Sequence, residues 1–368
     1  MMQHVLGPGA GYVGTLGMMA GDVSRPNQLT TPASDVLHDF LAHLPDQCPG
    51  VALEASSIGL HQARLAGLTF RAAVLTNVGS DHLDYHGSQA AYERAKRSLF
   101  ASLAPDGIAV LPGDDPVCEG VMAEIQERTP GVRIFTVGRW QGTALLQPKD
   151  TGAWHLSVGD ASAEFHLAMP GEYNRRNATQ ALLAIAGDGW QSRITALQDL
   201  PVIRGRLEEV APRVFVDYAH TPQALHAVLS AVRAAYPESR LIAVAGCGGD
   251  RDVAKRPAMG AALRLADIAV ITTDNPRSES PVQIAADMVR DLDPELIAWN
   301  GEEKPIRVVH DRGQAIRLAL QLAGSDAVVV VCGKGHETQQ LLATGPIAWD
   351  DAEVIRAEVT QLAGSHDI

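Results

Sequence analysis

Four stretches in the second half of the chain share one form: an apolar run that ends in a polar cluster. They are VFVDYAH, LIAVAGCGGDRD, DIAVITTDNPR and AVVVVCGKGHE. Asp217 and His220 follow the first run, and Asp250, Arg251, Lys255 and Arg256 follow the second. Asp274, Asn275 and Arg277 follow the third, and Lys334, His336 and Glu337 follow the last. If the runs are parallel strands, the clusters lie at their carboxyl ends, where open α/β sheets bind ligands. One such cluster alone reads as a solvated loop. Four in phase read as a mixed acidic and basic binding edge.

The first half offers a different set. Glu54 with Ser56 and Ser57 ends one apolar run, and Asn77, Asp81 and His82 end the next. Carboxylate, imidazole and hydroxyl groups at neighbouring strand ends suit a divalent cation and the phosphates it carries. The plainer alternative is local: Ser56 caps a helix and Asp81 caps a turn. A third feature, Gly9-Ala-Gly11-Tyr-Val-Gly14, spells the G-x-G-x-x-G of dinucleotide-binding proteins. That fingerprint needs a strand, a tight turn and a helix in succession. Here Pro8 suits a loop and YVGTLG reads as a short strand, so the glycines predict no cofactor site. A nicotinamide-dependent oxidoreductase would rest on them alone.

The elements that must position these residues alternate between strand-length apolar runs and helical patterns, which predicts an α/β protein with mostly parallel sheets. In the first half the strand candidates are GVALEAS, RAAVLTNVG and GIAVLPGDD, with AAYERAKRSLFASL a helix between them. RIFTVG, AWHLSVG and AEFHLAM read as an antiparallel extension, and NRRNATQALLAIAG as a closing helix. A hinge bracketed by Pro201 and Gly205 predicts two domains, 1–202 and 203–368. The 368 residues are 46% apolar and 20% charged, as in soluble globular proteins. A formal charge of −13 argues against nucleic acid or an anionic membrane as partner, and leaves room for a small anionic substrate in an arginine-lined cleft. No apolar run reaches the ~18 residues of a membrane span. Four scattered cysteines, with no C-x-x-C pair, fit reduced thiols in a cytoplasm.

EASSIGLHQARLAG, LTNVGSDHLDYHGSQAAYERAK, PGEYNRRN, GRLE, VDYAHTPQAL, GCGGDRDVAKRP, DNPRSE and GKGHE occur in the order found in Mur ligases. The chain resembles that family from about Gly11 to its end, in the branch called MurE. The resemblance implies a central ATP- and metal-binding domain, truncated at its start, and a Rossmann-like C-terminal domain for nucleotide and amino acid. It implies ATP-dependent addition of meso-diaminopimelate to UDP-MurNAc-L-Ala-D-Glu, with Mg²⁺, in cytoplasmic cell-wall synthesis. Glu54 and His82 then correspond to magnesium ligands, and Lys96 to a carbamylated lysine whose added carboxylate supplies an oxygen. Apart from the resemblance, Lys96 reads as an exposed helix lysine four residues after Tyr92. Thr30, Thr31, Ser56, Gln62 and Arg64 correspond to muramoyl-peptide contacts. Asn174, Asn177, Arg206, Asp217 and His220 correspond to the nucleotide side. Arg251, Asp274, Asn275, Pro276, Arg277, Gly333 and Glu337 correspond to the diaminopimelate pocket. Arg277 grips the ligand's far carboxylate and Pro276 stiffens its loop, unless Arg277 merely pairs with Glu279 or Asp274.

The resemblance also sets up a contrast. In the family a segment like YVGTLG follows a phosphate loop reading G-T-N-G-K-T, and no G-x-x-x-x-G-K-[ST] occurs in this sequence. The region of the N-terminal, uridine-diphosphate-binding domain has no counterpart either. Two expectations follow. The sequence is a fragment, or has a start set too far downstream, of a working ligase. Alternatively it is a relative without ATP-driven turnover that binds a muramoyl peptide, diaminopimelate or a protein partner.

Overall fold

The computed structural model describes residues 1–27, 29–79, 81–299, 303–324 and 326–364, and the chain divides into two compact units. The first comprises Met1–Ala168 and Asn174–Pro201, the second Met169–Tyr173 and Val202–Ile368.

The first unit opens with α1 (Met2–Leu6) and the strands β1 (Gly11–Gly14), β2 (Gly17–Ala20), β3 (Val23–Arg25) and β4 (Val51–Leu53). They form one sheet in the order β3-β2-β1-β4, with β4 parallel to β1 and the others antiparallel. Gly11 and Gly14 therefore lie inside a strand that turns back as a hairpin, and no helix follows. The dinucleotide fingerprint lacks the geometry that gives it meaning. Helix α2 (Ser34–Ala42) packs Leu37 and Phe40 onto this sheet beside Val13, Met18 and Ala20.

The second sheet runs β10-β9-β8-β7-β6-β5, from β5 (Phe70–Val74), β6 (Leu103–Pro112), β7 (Arg133–Gly138), β8 (Ala144–Pro148), β9 (Trp154–Val158) and β10 (Ala161–Phe165). β5 to β8 are parallel and β8 to β10 antiparallel. RIFTVG thus belongs to the parallel part, and the antiparallel extension starts one strand later, at β8. The sequence hid that strand because ALLQP ends in exposed Gln147 and Pro148. Short helices α3 (Ser57–His61) and α4 (Leu83–His86), then α5 (Gln89–Arg97), α6 (Val117–Arg128) and α7 (Glu172–Ala186), complete this half. The helix expected through AAYERAKRSLFASL narrows to a 3₁₀ turn after Arg97.

The second unit is a seven-stranded sheet, β11-β12-β17-β13-β14-β16-β15. Its strands are β11 (Glu208–Ala211), β12 (Val214–Asp217), β13 (Leu241–Ala245), β14 (Ile268–Ile271), β15 (Ile297–Ala298), β16 (Ile306–Val308) and β17 (Val328–Cys332). Every pair except β11·β12 is parallel. Helices α8 (Pro222–Ala235), α9 (Arg256–Leu263), α10 (Pro281–Val289), α11 (Arg312–Ala323) and α12 (Asp351–Gly364) cover it. Residues alternate along the central strands. Leu241, Ala243, Val328 and Val330 meet α8 to α10, while Ile242, Val244, Val329 and Val331 meet α11 and α12. Burial on both faces is why these strands read as unbroken apolar runs. Thr221 caps α8 by accepting from the Ala224 N–H at 3.3 Å, with Pro222 preset at the first helical position. After β17 the chain forms a hairpin, β18 (Gln339–Leu342) and β19 (Gly345–Ala348), before α12 begins.

Candidate active site

Neighbouring parallel strands β12, β17, β13 and β14 end at the same edge of the second unit's sheet, so all four polar clusters meet there. The centre of the edge is Lys334, whose side chain is fully buried. Its ammonium donates to Asn275 Oδ1 at 2.9 Å and to Glu337 Oε2 at 2.8 Å, with Asp274 Oδ1 at 3.8 Å. Asn275 Nδ2 donates to the same Glu337 oxygen at 2.9 Å, and Asn275 Oδ1 also accepts from the Leu341 N–H at 2.9 Å. Glu337 therefore spends Oε2 on the protein, and Oε1 makes no hydrogen bond among the described residues. Gly333 sits at φ 111°, and a Cβ there would lie 2.5 Å from Asp274 Oδ2, so only glycine fits this turn. Burial raises the Asp274 carboxyl above its ordinary value, against the opposing charges of Arg312 and Lys334.

Arg277 lies beside this network, half-buried and in the left-handed region at φ 52°, unusual for a non-glycine residue. Its N–H donates to the Leu341 carbonyl at 3.0 Å. The guanidinium uses only Nη1, toward the carbonyls of Gly249 at 2.8 Å and Asn275 at 3.4 Å. It pairs with neither Glu279 nor Asp274. Glu279 is held instead by Arg256, which also binds Asp287, at 2.8 Å in each pair. Arg251 is exposed on the adjoining loop. That loop is tied to the Arg277 loop by Gly249 N–H to Asn275 O at 2.9 Å and by Ser278 Oγ to Asp250 Oδ1 at 2.7 Å. Pro276 is buried between them.

On the same edge Asp217 is buried, and its two oxygens accept from the N–H groups of Leu207 and Ala219, each at 2.7 Å. Burial raises its carboxyl above the usual range. The Arg206 guanidinium lies over the Tyr218 ring, 4.9 Å from its centroid, and the His220 ring meets Tyr218 edge-on at 4.6 Å. The His336 ring also lies against Tyr218, tilted, at 5.1 Å, so Tyr218 is the centre of a cation–aromatic cluster. Asn174 and Asn177, also expected on the nucleotide side, belong to the first unit on α7, the former buried and the latter exposed.

In the first unit the muramoyl-peptide candidates form one network. Buried Thr31 donates to the Glu54 carbonyl at 2.6 Å and accepts from the Ser56 N–H at 2.9 Å. Arg64 Nη1 donates to the Thr31 carbonyl at 2.7 Å and its Nη2 to Gln62 Oε1 at 2.6 Å. Thr30 reaches Thr15 at 3.1 Å, and Thr15 donates to Glu54 Oε2 at 2.8 Å. Ser56 does cap α3, accepting from Gly59 N–H at 3.1 Å, so the local reading of that serine holds alongside its place in the network. A Cβ on Gly59 would lie 2.7 Å from Thr31 Cβ. Gly59→Ala is therefore expected to lose about 1–3 kcal/mol by overpacking, outweighing the roughly 0.5–1 kcal/mol that alanine gains in a helix. Urea unfolding checks this, and a stabilised variant would refute it.

Glu54 accepts from Tyr12 OH at 2.6 Å and from Thr15, which orients its carboxylate. His82 occupies the left-handed region at φ 54°, with Asp81 Oδ1 accepting from its N–H at 2.9 Å. Lys96 is no freely exposed helix lysine. It is half-buried, its Nζ donating to the Asn77 carbonyl at 3.2 Å and lying 4.8 Å from the Tyr92 ring centroid. Burial lowers its pKa, partly offset by Asp81 and Asp115. No three His, Cys, Asp or Glu side chains converge as a metal cluster among the described residues. The donor set of Glu54, His82 and Lys96 fits a divalent cation only if the lysine carries a carboxylate, because an ammonium has no lone pair to give.

Sequence reading passed over Arg312 and Asp351, a fully buried pair joined by bonds of 2.7 and 2.6 Å. Arg312 also donates to the Cys332 carbonyl at 3.0 Å, at the strand end before Gly333. They lie in His310-Asp311-Arg312 and Asp350-Asp351, short polar runs that sequence reading did not single out. Lys334 was visible in GKGHE but had no assigned part. Tyr85, whose hydroxyl accepts from Gln62 Nε2 at 3.1 Å and shares a hydrogen bond with His61 Nδ1 at 3.0 Å, was likewise unmarked.

Residues 1–185 match the Mur ligase middle domain and residues 205–335 the Mur ligase glutamate ligase domain. The chain is 40% identical over 374 residues to the UDP-N-acetylmuramoyl-L-alanyl-D-glutamate–2,6-diaminopimelate ligase of Caulobacter vibrioides, covering 96% of this chain and 74% of the relative. Identity to the same enzyme of Chlorobium phaeobacteroides is 38% over 379 residues, covering 96% and 71%. A solved structure of a ligase of that name superimposes with a TM-score of 0.62 at 31% identity, over 96% of this chain and 73% of the other. MurF from Thermotoga maritima, solved with ADP, shares the fold at a TM-score of 0.63 and 17% identity, over 98% and 75%. No helix among the described residues is long and apolar enough to cross a membrane.

Proposed function

The chain belongs to the Mur ligase family, and we propose that its second unit selects meso-diaminopimelate through Arg277. It is an ATP-dependent ligase of the MurE type, adding diaminopimelate in peptidoglycan precursor synthesis. In the reaction of MurE-type ligases ATP phosphorylates the free D-glutamate carboxylate of UDP-MurNAc-L-Ala-D-Glu and leaves as ADP, a step served in the family by the G-x-x-x-x-G-K-[ST] loop that this sequence does not contain. The amine of diaminopimelate attacks the acyl phosphate, and phosphate leaves from the tetrahedral intermediate.

The residues divide this work. Thr30, Thr31, Ser56, Gln62 and Arg64 orient the muramoyl peptide. Asn174, Asn177, Arg206, Asp217 and His220 serve the nucleotide, with Arg206 held over the Tyr218 ring. Glu54, His82 and a carbamylated Lys96 would hold Mg²⁺, which when bound neutralises phosphate charge. Asn77 and Tyr92 fix the direction of the Lys96 side chain. Asp274, Asn275, Gly333 and Glu337 line the amino-acid pocket, and Arg251 flanks it.

The observation that carries the proposal is Arg277, a guanidinium anchored through one nitrogen to backbone carbonyls and, among the described residues, in no ion pair with a carboxylate. Such an anchor leaves donors aimed outward for a planar carboxylate, which diaminopimelate has at its far end and lysine lacks. Glu337 Oε1, a few residues along the same edge, accepts from the ligand's ammonium. A crystal structure of the chain with meso-diaminopimelate tests this. It should show one ligand carboxylate in two parallel bonds to Arg277 and an amine on Glu337. A ligand bound with both carboxylates away from Arg277 would overturn the assignment.

A further inference from the structure

Lys334 makes no part of the ligand contacts just proposed, yet its ammonium is fully buried at that edge. We infer that Lys334 is a positioning residue, which locks Asn275 and Glu337 into the one arrangement that leaves a Glu337 oxygen free for the ligand's ammonium. The inference rests on the diaminopimelate reading and extends it to a residue the ligand never touches.

The geometry is closed on three sides. The ammonium is fully buried and reaches Asn275 Oδ1 at 2.9 Å, Glu337 Oε2 at 2.8 Å and Asp274 Oδ1 at 3.8 Å. Because Lys334 can only donate, the Asn275 oxygen must face it, which turns the Asn275 NH₂ toward Glu337 Oε2 at 2.9 Å. The Leu341 N–H, at 2.9 Å from the same Asn275 oxygen, enforces that orientation. Two donors then converge on a single Glu337 oxygen, which restrains the carboxylate and leaves Oε1 without a hydrogen bond among the described residues. A buried lysine is costly unless paired. Its presence is explained if the pairing orients the β14 loop and the β17 loop against each other. Without the ammonium, Asn275 is free to flip and Glu337 to swing.

The test is a double-mutant cycle on the full chain, with meso-diaminopimelate binding read by calorimetry and folding by thermal melting. Lys334→Met keeps the length and removes the donor. It should weaken binding about 10- to 100-fold, the range of a charge-assisted hydrogen bond. In a Glu337→Gln background, where the charged acceptor is already gone, Lys334→Met should weaken binding by less than about threefold. A residue that merely supports the fold would lower binding equally in both backgrounds, and that result would overturn the inference. So would unchanged binding by a folded Lys334→Met. If Lys334→Met does not fold, Lys334→Gln, which retains donors without charge, carries the same cycle. Failure of the unmutated chain to bind diaminopimelate would sink the underlying reading, and this inference with it.

Discussion

Asp351→Ala is expected to cost the second unit about 3–5 kcal/mol, the loss found when one partner of a buried ion pair is removed. Arg312 and Asp351 are both wholly inaccessible to solvent, and the guanidinium grips the carboxylate by bonds of 2.7 and 2.6 Å. Trp349 Nε1 adds a third donor at 2.8 Å. Arg312 Nη1 is already buried with no partner among the described residues, so without Asp351 the cation keeps only the Cys332 carbonyl and the charge of Asp274. Burial alone would raise the Asp351 carboxyl. The charge and hydrogen bonds of Arg312, with the Trp349 bond, outweigh it and hold the group below its ordinary value. The sign of the pH dependence follows. A lowered carboxylate stabilises the fold above the unfolded-state pKa of about 3.9, and that stabilisation fades as pH falls through the folded value. Asp351→Asn, which mimics the protonated group, should therefore be much less stable than the unmutated chain at pH 7, with the gap narrowing below about pH 4. Urea unfolding at both pH values measures it. A gap under 1 kcal/mol at pH 7, or one independent of pH, would show that the pair contributes little.

The second large effect concerns recognition. Arg277→Ala should weaken diaminopimelate binding about 10- to 100-fold, since it removes charge-assisted hydrogen bonds worth roughly 1.5–3 kcal/mol. It should leave lysine binding nearly unchanged, because lysine has no far carboxylate to lose. Arg277→Lys should recover only part of the loss, since an ammonium restores the charge but not two parallel donors. The loop itself should survive these changes. Its fixed points are backbone bonds, Arg277 N–H to Leu341 O at 3.0 Å and Gly249 N–H to Asn275 O at 2.9 Å.

The second unit was the more legible part. Valine and isoleucine runs buried on both faces announce a parallel sheet, and a parallel sheet fixes where its loops go. That is why residues as far apart as Asn275 and Glu337 could be expected at one edge, where they lie 2.9 Å apart. Strand β8 and the β18–β19 hairpin were illegible, being short, partly polar and formed by pairing rather than by a buried face. Arg312 and Asp351 were hidden for a related reason. A charged residue on a helix reads as a solvated one, and only the fold reveals that these two face each other without water. Lys96 shows the opposite limit. Its partners Tyr92 and Asn77 come from one turn of α5 and from the loop after β5, and the four-residue spacing from Tyr92 read only as that of an exposed helix lysine.

With Arg277 as the selector proposed above, its single guanidinium is what tells diaminopimelate from lysine. Paired calorimetric titrations test it most directly, with meso-diaminopimelate and L-lysine each titrated into the unmutated chain and into Arg277→Ala. The unmutated chain should prefer diaminopimelate by at least about tenfold, and the variant should bind the two alike. Equal affinity for both amino acids in the unmutated chain, at concentrations where binding is clearly measured, would contradict the claim, as would a preference that survives in Arg277→Ala.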